Sequence, residues 1–277
     1  ISVKSSWKRN TITKNGHLID MGFFLRGDLY RSTKKYIPNN SSRLLPSNRF
    51  GEDLNIARIL PNYFLEWRYP VVSPNGHTII EPIINFTVAP NDKEYSKIPN
   101  EDSIAFELNS ANIFFNERIQ GFDRWEHGNR INYGIQISHF WGDRVIKALL
   151  AQSYRFSDLN FSYTGSGLRK DFSDLIFDLF YQPNKNLTIT YRGRMNEDDL
   201  NLTRSEFDIQ GNFKNWGFRL GHAHLDDEEY INLKEQKELR FANFINISEN
   251  WLLQGAIRYD VESKKSLRNR LSVVYID

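Results

Sequence analysis

The 277 residues balance 36 basic against 34 acidic side chains, a formal net charge of +2, so no bulk field is available to recruit nucleic acid. No uninterrupted apolar run approaches the ~18 residues that a spanning helix needs, and the mean hydropathy is -0.56; a helical membrane protein is excluded. Cysteine is absent, so no disulfide is available within these residues.

Thirteen stretches follow a two-residue period, with side chains alternating between faces. From His17 to Arg31, Ile19, Met21, Phe23, Leu25 and Leu29 share one face, while Asp20, Gly22, Arg26 and Asp28 share the other. Between Ile79 and Ala89, Ile80, Pro82, Ile84, Phe86 and Val88 oppose Glu81, Asn85 and Thr87. Between Trp251 and Val261, Leu253, Ile257, Tyr259 and Val261 oppose Gln254, Arg258 and Asp260.

The connections alternate in length along the chain. Short ones rich in Gly, Asn, Pro, Asp or Ser lie at Lys14 to Gly16, Val72 to Gly76, Trp141 to Asp143, Gln182 to Asn186, Phe213 to Asn215 and Ser248 to Asn250. Longer ones run Ser32 to Asp53, Pro90 to Asn129, Ser157 to Gly167, Asn196 to Asp199, Asp226 to Gln236 and Glu262 to Ser266. Short turns on one rim and long loops on the other describe an outer-membrane barrel wall. Most runs also reach the ~9–11 residues a tilted strand needs to cross the hydrocarbon layer.

The expected fold is therefore all-β, an antiparallel up-and-down transmembrane barrel wall in a single domain over 1–277. Tyr69, Trp141, Tyr181, Trp216, Trp251 and Tyr275 each fall on the apolar parity at the short-turn end of a strand, where rings with polar tips settle at a membrane boundary. They form a candidate periplasmic girdle. Single-chain bacterial barrels use even strand numbers, so thirteen strands imply part of a larger wall.

The most distinctive segment runs from Asp102 to Gly134. It contains Phe106-Glu107, Asn112-Ile-Phe114, Asn116-x-Arg118, Gly121-Phe-Asp-Arg124, Glu126, Gly128-Asn-Arg130 and Tyr133-Gly134, flanked upstream by Leu60-Pro61, Trp67-Arg68-Tyr69-Pro70 and Glu81-Pro82. In these residues the sequence resembles the LPS-assembly outer-membrane protein family, LptD, also called OstA. The similarity extends along the chain and is densest between Leu60 and Gly134.

That resemblance implies a barrel of about 26 strands in the Gram-negative outer membrane. Its first and last strands part as a lateral gate that releases lipopolysaccharide into the outer leaflet. It further implies an LptE-like plug lipoprotein inside the barrel, and periplasmic Lpt bridge proteins that deliver lipid to an N-terminal jellyroll. That jellyroll and the first strands are expected to lie outside these residues.

The residues of the long loop carry a reading of their own. Phe106, Phe114, Phe115, Phe122 and Trp125 stand among Glu107, Glu117, Arg118, Asp123, Arg124 and Glu126, too apolar for free solvent and too charged for lipid. Loop 90–129 is expected to fold toward the lumen and seat the plug, with Asp123 and Arg124 pairing with lumen-facing charges such as Arg130 and with Gly121 and Gly128 bending the backbone. The alternative is an external loop held by its own aromatic cluster.

Other constellations point less far. His222 and His224 precede Asp226, Asp227, Glu228 and Glu229, a metal-like grouping that reads more simply as a solvated loop tip; no metal or cofactor is expected. Arg192, Arg194, Arg240, Arg258, Arg268 and Arg270 share the polar parity, placed either to attract phosphorylated headgroups or to pair across the wall. Ser162 or Ser166 with His139 or His222 lies in no elbow or triad motif, so no catalysis is expected. The functional competitor is a passive porin or receptor-type barrel.

Overall fold

The computed structural model describes residues 1–32, 54–94, 97–98, 100–103, 107–156, 166–168, 170–226 and 235–276. Among them there are fourteen strands and no helix: β1 (Ser2–Ile12), β2 (Leu18–Ser32), β3 (Leu54–Arg68), β4 (Val71–Val72), β5 (Thr78–Val88), β6 (Arg130–Trp141) and β7 (Arg144–Arg155), followed by β8 (Leu175–Asn184), β9 (Leu187–Met195), β10 (Leu202–Asn212), β11 (Trp216–Leu225), β12 (Gln236–Asn246), β13 (Trp251–Asp260) and β14 (Lys265–Tyr275). Thirteen of them pair in sequence order as one up-and-down antiparallel sheet, with β4 attached to β5. Phe106, Ser162 and Asp227 to Glu229 lie outside the described residues.

β4 is a continuation of β3. Arg68 faces Ile83 and Val71 faces Ile80, so one register runs through both pairings. Between them Pro70, which has no N–H to donate, interrupts the ladder, while the Tyr69 amide still reaches the Pro82 carbonyl at 3.2 Å. Among the described residues, β1 pairs with β2 alone and β14 with β13 alone.

The chain divides into two compact units, the first Ile1–Pro70, Pro82–Gly134 and Gln152–Ser173, the second Val71–Glu81, Ile135–Ala151 and Asp174–Asp277. In the first unit the strands alternate sharply. On β2, Met21, Phe23, Leu25 and Leu29 are exposed whereas Arg26 and Asp28 are buried; on β3, Ile59, Tyr63 and Leu65 are exposed whereas Arg58 and Asn62 are buried. That inverts the usual soluble pattern, in which apolar side chains lie inside. The long segment between β5 and β6 covers the polar face; its Trp125 packs with Leu60 and Ala89, edge-on to Phe24 at 5.5 Å, and its Ile98, Leu108, Ile113 and Ile119 are buried as well.

In the second unit the apolar parity is likewise exposed, with Ile137, Leu220, Phe241 and Ile257 open. Aromatic residues sit at the tight-turn ends of its strands. Trp141 and Tyr181 lie 6.4 Å apart and Trp251 and Tyr275 5.1 Å apart, while Trp216 stacks on Phe213 at 4.5 Å.

Candidate functional site: an arginine-held loop on the polar face

The contacts described below that fix the long segment lie within the first unit. Its hinge is a reciprocal clasp between two acids. The Asp102 carboxylate accepts the amides of Phe122 and Asp123 at 2.9–3.0 Å, and the Asp123 carboxylate accepts those of Glu101 and Asp102 at 2.6 and 3.0 Å. Burial works against the Asp102 charge, yet the amides of Asp123 and Phe122 hold its carboxyl below the usual range. Gly121 makes the turn at φ +97°, and a Cβ there would stand 2.6 Å from Ser103 Oγ and 2.7 Å from the Asp102 carbonyl. Glycine is required on both counts.

The clasp presents the Phe122 carbonyl to the strands. Tyr30 Oη donates to it at 2.7 Å, Arg26 at 2.9 Å and Arg58 at 2.5 Å. Arg58 also spans Asp28 on β2 and Asp92 at the base of the loop, each at 2.7 Å. Arg26 lies over the Trp125 ring, 5.1 Å from its centroid.

Four residues on, Glu126 forms the second anchor. Arg118 grips its carboxylate through two nitrogens, Arg155 of β7 donates to Oε1 at 2.5 Å and Arg130 of β6 stands 3.6 Å from Oε2. Burial alone would raise the Glu126 carboxyl, but the guanidiniums of Arg118, Arg130 and Arg155 hold it well below the ordinary carboxylate range. Arg130 also donates to the Asn116 carbonyl at 2.5 Å, which Asn62 reaches at 3.1 Å. The Asn116 side chain receives Asn85 at 2.9 Å. Beside the anchor, burial and the nearby Arg155 charge lower the His127 imidazole.

The residues quoted from the signature therefore do different work. Asn112 closes a turn onto the Glu107 carbonyl at 2.7 Å, Phe114 is half-buried and Gly128 donates to the Ala89 carbonyl at 2.7 Å. Trp67 donates to His17 at 3.2 Å, Tyr69 stacks on that ring at 4.4 Å and Arg68 turns to Glu66 at 2.7 Å. The expected pairing of Asp123 with Arg130 gives way to a different one. Asp123 goes to backbone amides, Arg124 donates to the Ile98 carbonyl at 2.7 Å, and Arg130 meets Glu126. Asp92 and Asp102, absent from the sequence-derived site, prove central; their signal was an acid at each end of a loop facing a face rich in arginine.

A comparison with protein families closes the matter of descent. The family model LptD, LPS transport system D, matches residues 1–257. This chain belongs to the LptD family. The LPS-assembly protein LptD of Nitrosomonas europaea is 22% identical over 244 residues, which is 83% of this chain and 32% of that protein. The chain thus spans about a third of that relative's length.

The weaker candidates resolve individually. His224, Asp226 and Glu235 bring ligand atoms within 4.8 Å of one another, but the Lys237 ammonium already occupies Glu235 at 2.6 Å. His139 meets Thr78 Oγ1 at 2.8 Å rather than a serine, and Ser166 Oγ accepts the Leu168 amide at 3.2 Å.

Proposed function

We propose that this LptD-family chain is part of an outer-membrane wall that carries lipopolysaccharide to the outer leaflet, without catalytic chemistry. The observation that carries the reading is the family match over 1–257 on a sheet whose apolar faces are exposed and whose polar face is, in the first unit, covered by a charged loop. Such a wall satisfies its backbone in lipid only by strand pairing, so β1 and β14 require further strands on either side. We read the polar face as lumenal, loop 90–129 as a lumen-narrowing element that seats a plug lipoprotein, and the aromatic strand ends as a periplasmic girdle. The lateral gate and the delivery of lipid by periplasmic bridge proteins belong to the same proposal.

Depletion of the full-length protein in cells, followed by assay of surface lipopolysaccharide, tests the reading. Loss of surface display is expected; normal display rejects a transport role. A passive pore would conduct steadily in planar bilayers with or without a lipoprotein partner, whereas the transport wall should be closed by that partner.

A further inference from the structure

The tight-turn rim of the first unit carries an imidazole on the apolar parity. Along β2 and β3 that parity runs Leu25, Phe23, Met21, Ile19 against Pro61, Tyr63, Leu65, Trp67, and Met21, Phe23, Leu25, Tyr63 and Leu65 are exposed. His17 and Tyr69 continue it past the last pair of the ladder. The His17 ring stacks on Tyr69 at 4.4 Å and lies 5.9 Å from Trp67, which is 6.4 Å from Tyr69. The hairpin fixes its backbone: the Thr13 amide donates to the His17 carbonyl at 2.9 Å, and the His17 amide donates to Thr13 Oγ1 at 3.0 Å. Lys14 stands exposed in the same turn.

One hydrogen bond decides how the ring is protonated. An indole N–H can only donate, and Trp67 Nε1 donates to His17 Nδ1 at 3.2 Å. Nδ1 is therefore bare, and the proton of the neutral imidazole sits on Nε2. Trp67 thus gives up the N–H that a boundary tryptophan turns toward the wet side, and the His17 ring passes a donor out on its far side. Among the described residues Nε2 has no hydrogen-bond partner. β2 and β3 are each paired on both sides, so this donor does not belong to a sheet edge. An N–H at the margin of an exposed apolar face, with an ammonium in the same turn, suits an anionic oxygen, because a charge-assisted hydrogen bond is stronger than the neutral one water would accept.

We infer that His17 and Lys14 bind the phosphodiester of a glycerophospholipid in the leaflet that borders the tight-turn rim. Trp67 is a positioning residue, holding the tautomer that places the N–H on Nε2, and the Tyr69 ring backs the imidazole. The inference rests on reading the exposed parity as lipid-facing. It adds a lipid that stays on the outside of the wall, separate from any lipid the wall transports.

The test uses the full-length protein in detergent, with lipid retention measured by native mass spectrometry. The two probes carry the same acyl chains: dioleoyl phosphatidylethanolamine and dioleoyl glucosylglycerol, whose headgroup has no anion. The phospholipid should bind at least about tenfold more tightly, the effect of one hydrogen bond to a charged group. H17F keeps a ring against Tyr69 without the donor and should lose most of that preference; W67F should weaken it; H77F, at the turn before β5, should keep it. Preference that survives in H17F, that falls equally in H77F, or that is absent from the wild type overturns the inference. Should H17F fail to assemble, the wild type decides: with 15N-labelled histidine in nanodiscs, the His17 Nε2–H resonance should differ between the two lipids, and coincident resonances overturn the site. Failure of the transport reading would appear separately, as normal surface lipopolysaccharide on depletion, and failure of the lipid-facing assignment as an aqueous setting for a spin label at Phe23.

Discussion

Replacing Glu126 with glutamine should release the loop from the strands. The side chains of Arg118, Arg130 and Arg155 are at most 1% exposed, so water cannot take over from the lost carboxylate. At an effective dielectric of ~20, opposite unit charges ~4 Å apart attract by about 4 kcal/mol, and removing one partner from a buried ion group costs about 3–5 kcal/mol. Glutamine keeps one acceptor oxygen for a guanidinium, which sets the expected loss near ~3 kcal/mol. The strand ladders do not pass through Glu126, so the loss falls on the clasp. Hydrogen exchange at the amides of Phe122, Asp123 and Arg124, which donate to Asp102 and Ser103, reports the opening. At ~1.4 kcal/mol per tenfold, their protection should fall by about two orders of magnitude, with β2 and β3 unchanged. Protection within about threefold of the wild type would refute the assignment of Glu126 as an anchor, because so small a change corresponds to under ~1 kcal/mol. Pairing Glu126→Leu with Arg118→Met should recover part of the loss, since a buried ion pair exchanged for apolar groups of similar volume is often neutral.

Gly121→Ala forces a Cβ into the φ +97° turn against Ser103 and Asp102; opening of the 102–123 clasp by about 1–3 kcal/mol is expected by exchange at the same amides, and an unperturbed clasp would count against the geometry. The loop should also loosen in acid, in two stages. His127 is held below its ordinary value of 6.5, so the unfolded loop takes up protons first and stability is lost as pH falls below that value; Glu126, held below 4.5, contributes stability that is present above that value and lost as pH falls below it. A spin label at Phe115 should therefore gain mobility below neutrality and again in stronger acid, with His127→Gln removing the first stage; constant mobility down to strong acid would contradict both assignments. Finally, Ile137→Arg on the exposed face of β6 should cost about 2–4 kcal/mol in bilayer unfolding and Gln136→Arg on the polar face far less; equal costs would reverse the assignment of faces.

The strands were legible because a two-residue period needs no knowledge of partners. Arg26 and Asp28 fall on one parity and Phe23 and Leu25 on the other wherever the chain goes, and on β2 burial follows that parity, whereas β1 and β14 are exposed on both faces. The break at Pro70 was legible as a motif but not as a single strand, because only the registers of Arg68 and Val71 against β5 join the two pieces. The loop was legible in composition and not in contacts. Asp123 reads as a charge awaiting Arg130, yet a carboxylate at a tight turn finds two amides closer than any guanidinium, and that local pairing won. Glu126 then fell to Arg130, a pairing the spacing permits but does not require.

The way the loop is attached follows from the face it covers. A segment packed on an apolar surface adheres in proportion to area and can slide or peel gradually; here Trp125 packs with Leu60 and Ala89, and Ile98, Leu108, Ile113 and Ile119 are buried within the segment itself. Its polar attachment is directional, with three donors on the Phe122 carbonyl and three guanidiniums at Glu126. Partial withdrawal would leave buried guanidiniums without their acceptors, at about 1–3 kcal/mol each or more for charged groups, so intermediate positions are disfavoured. Release of one anchor should therefore bring release of the other, and a label near the Asp102 clasp should respond to Glu126→Gln as strongly as a label near Glu126 itself. Response confined to the mutated end would mean that the two anchors act independently.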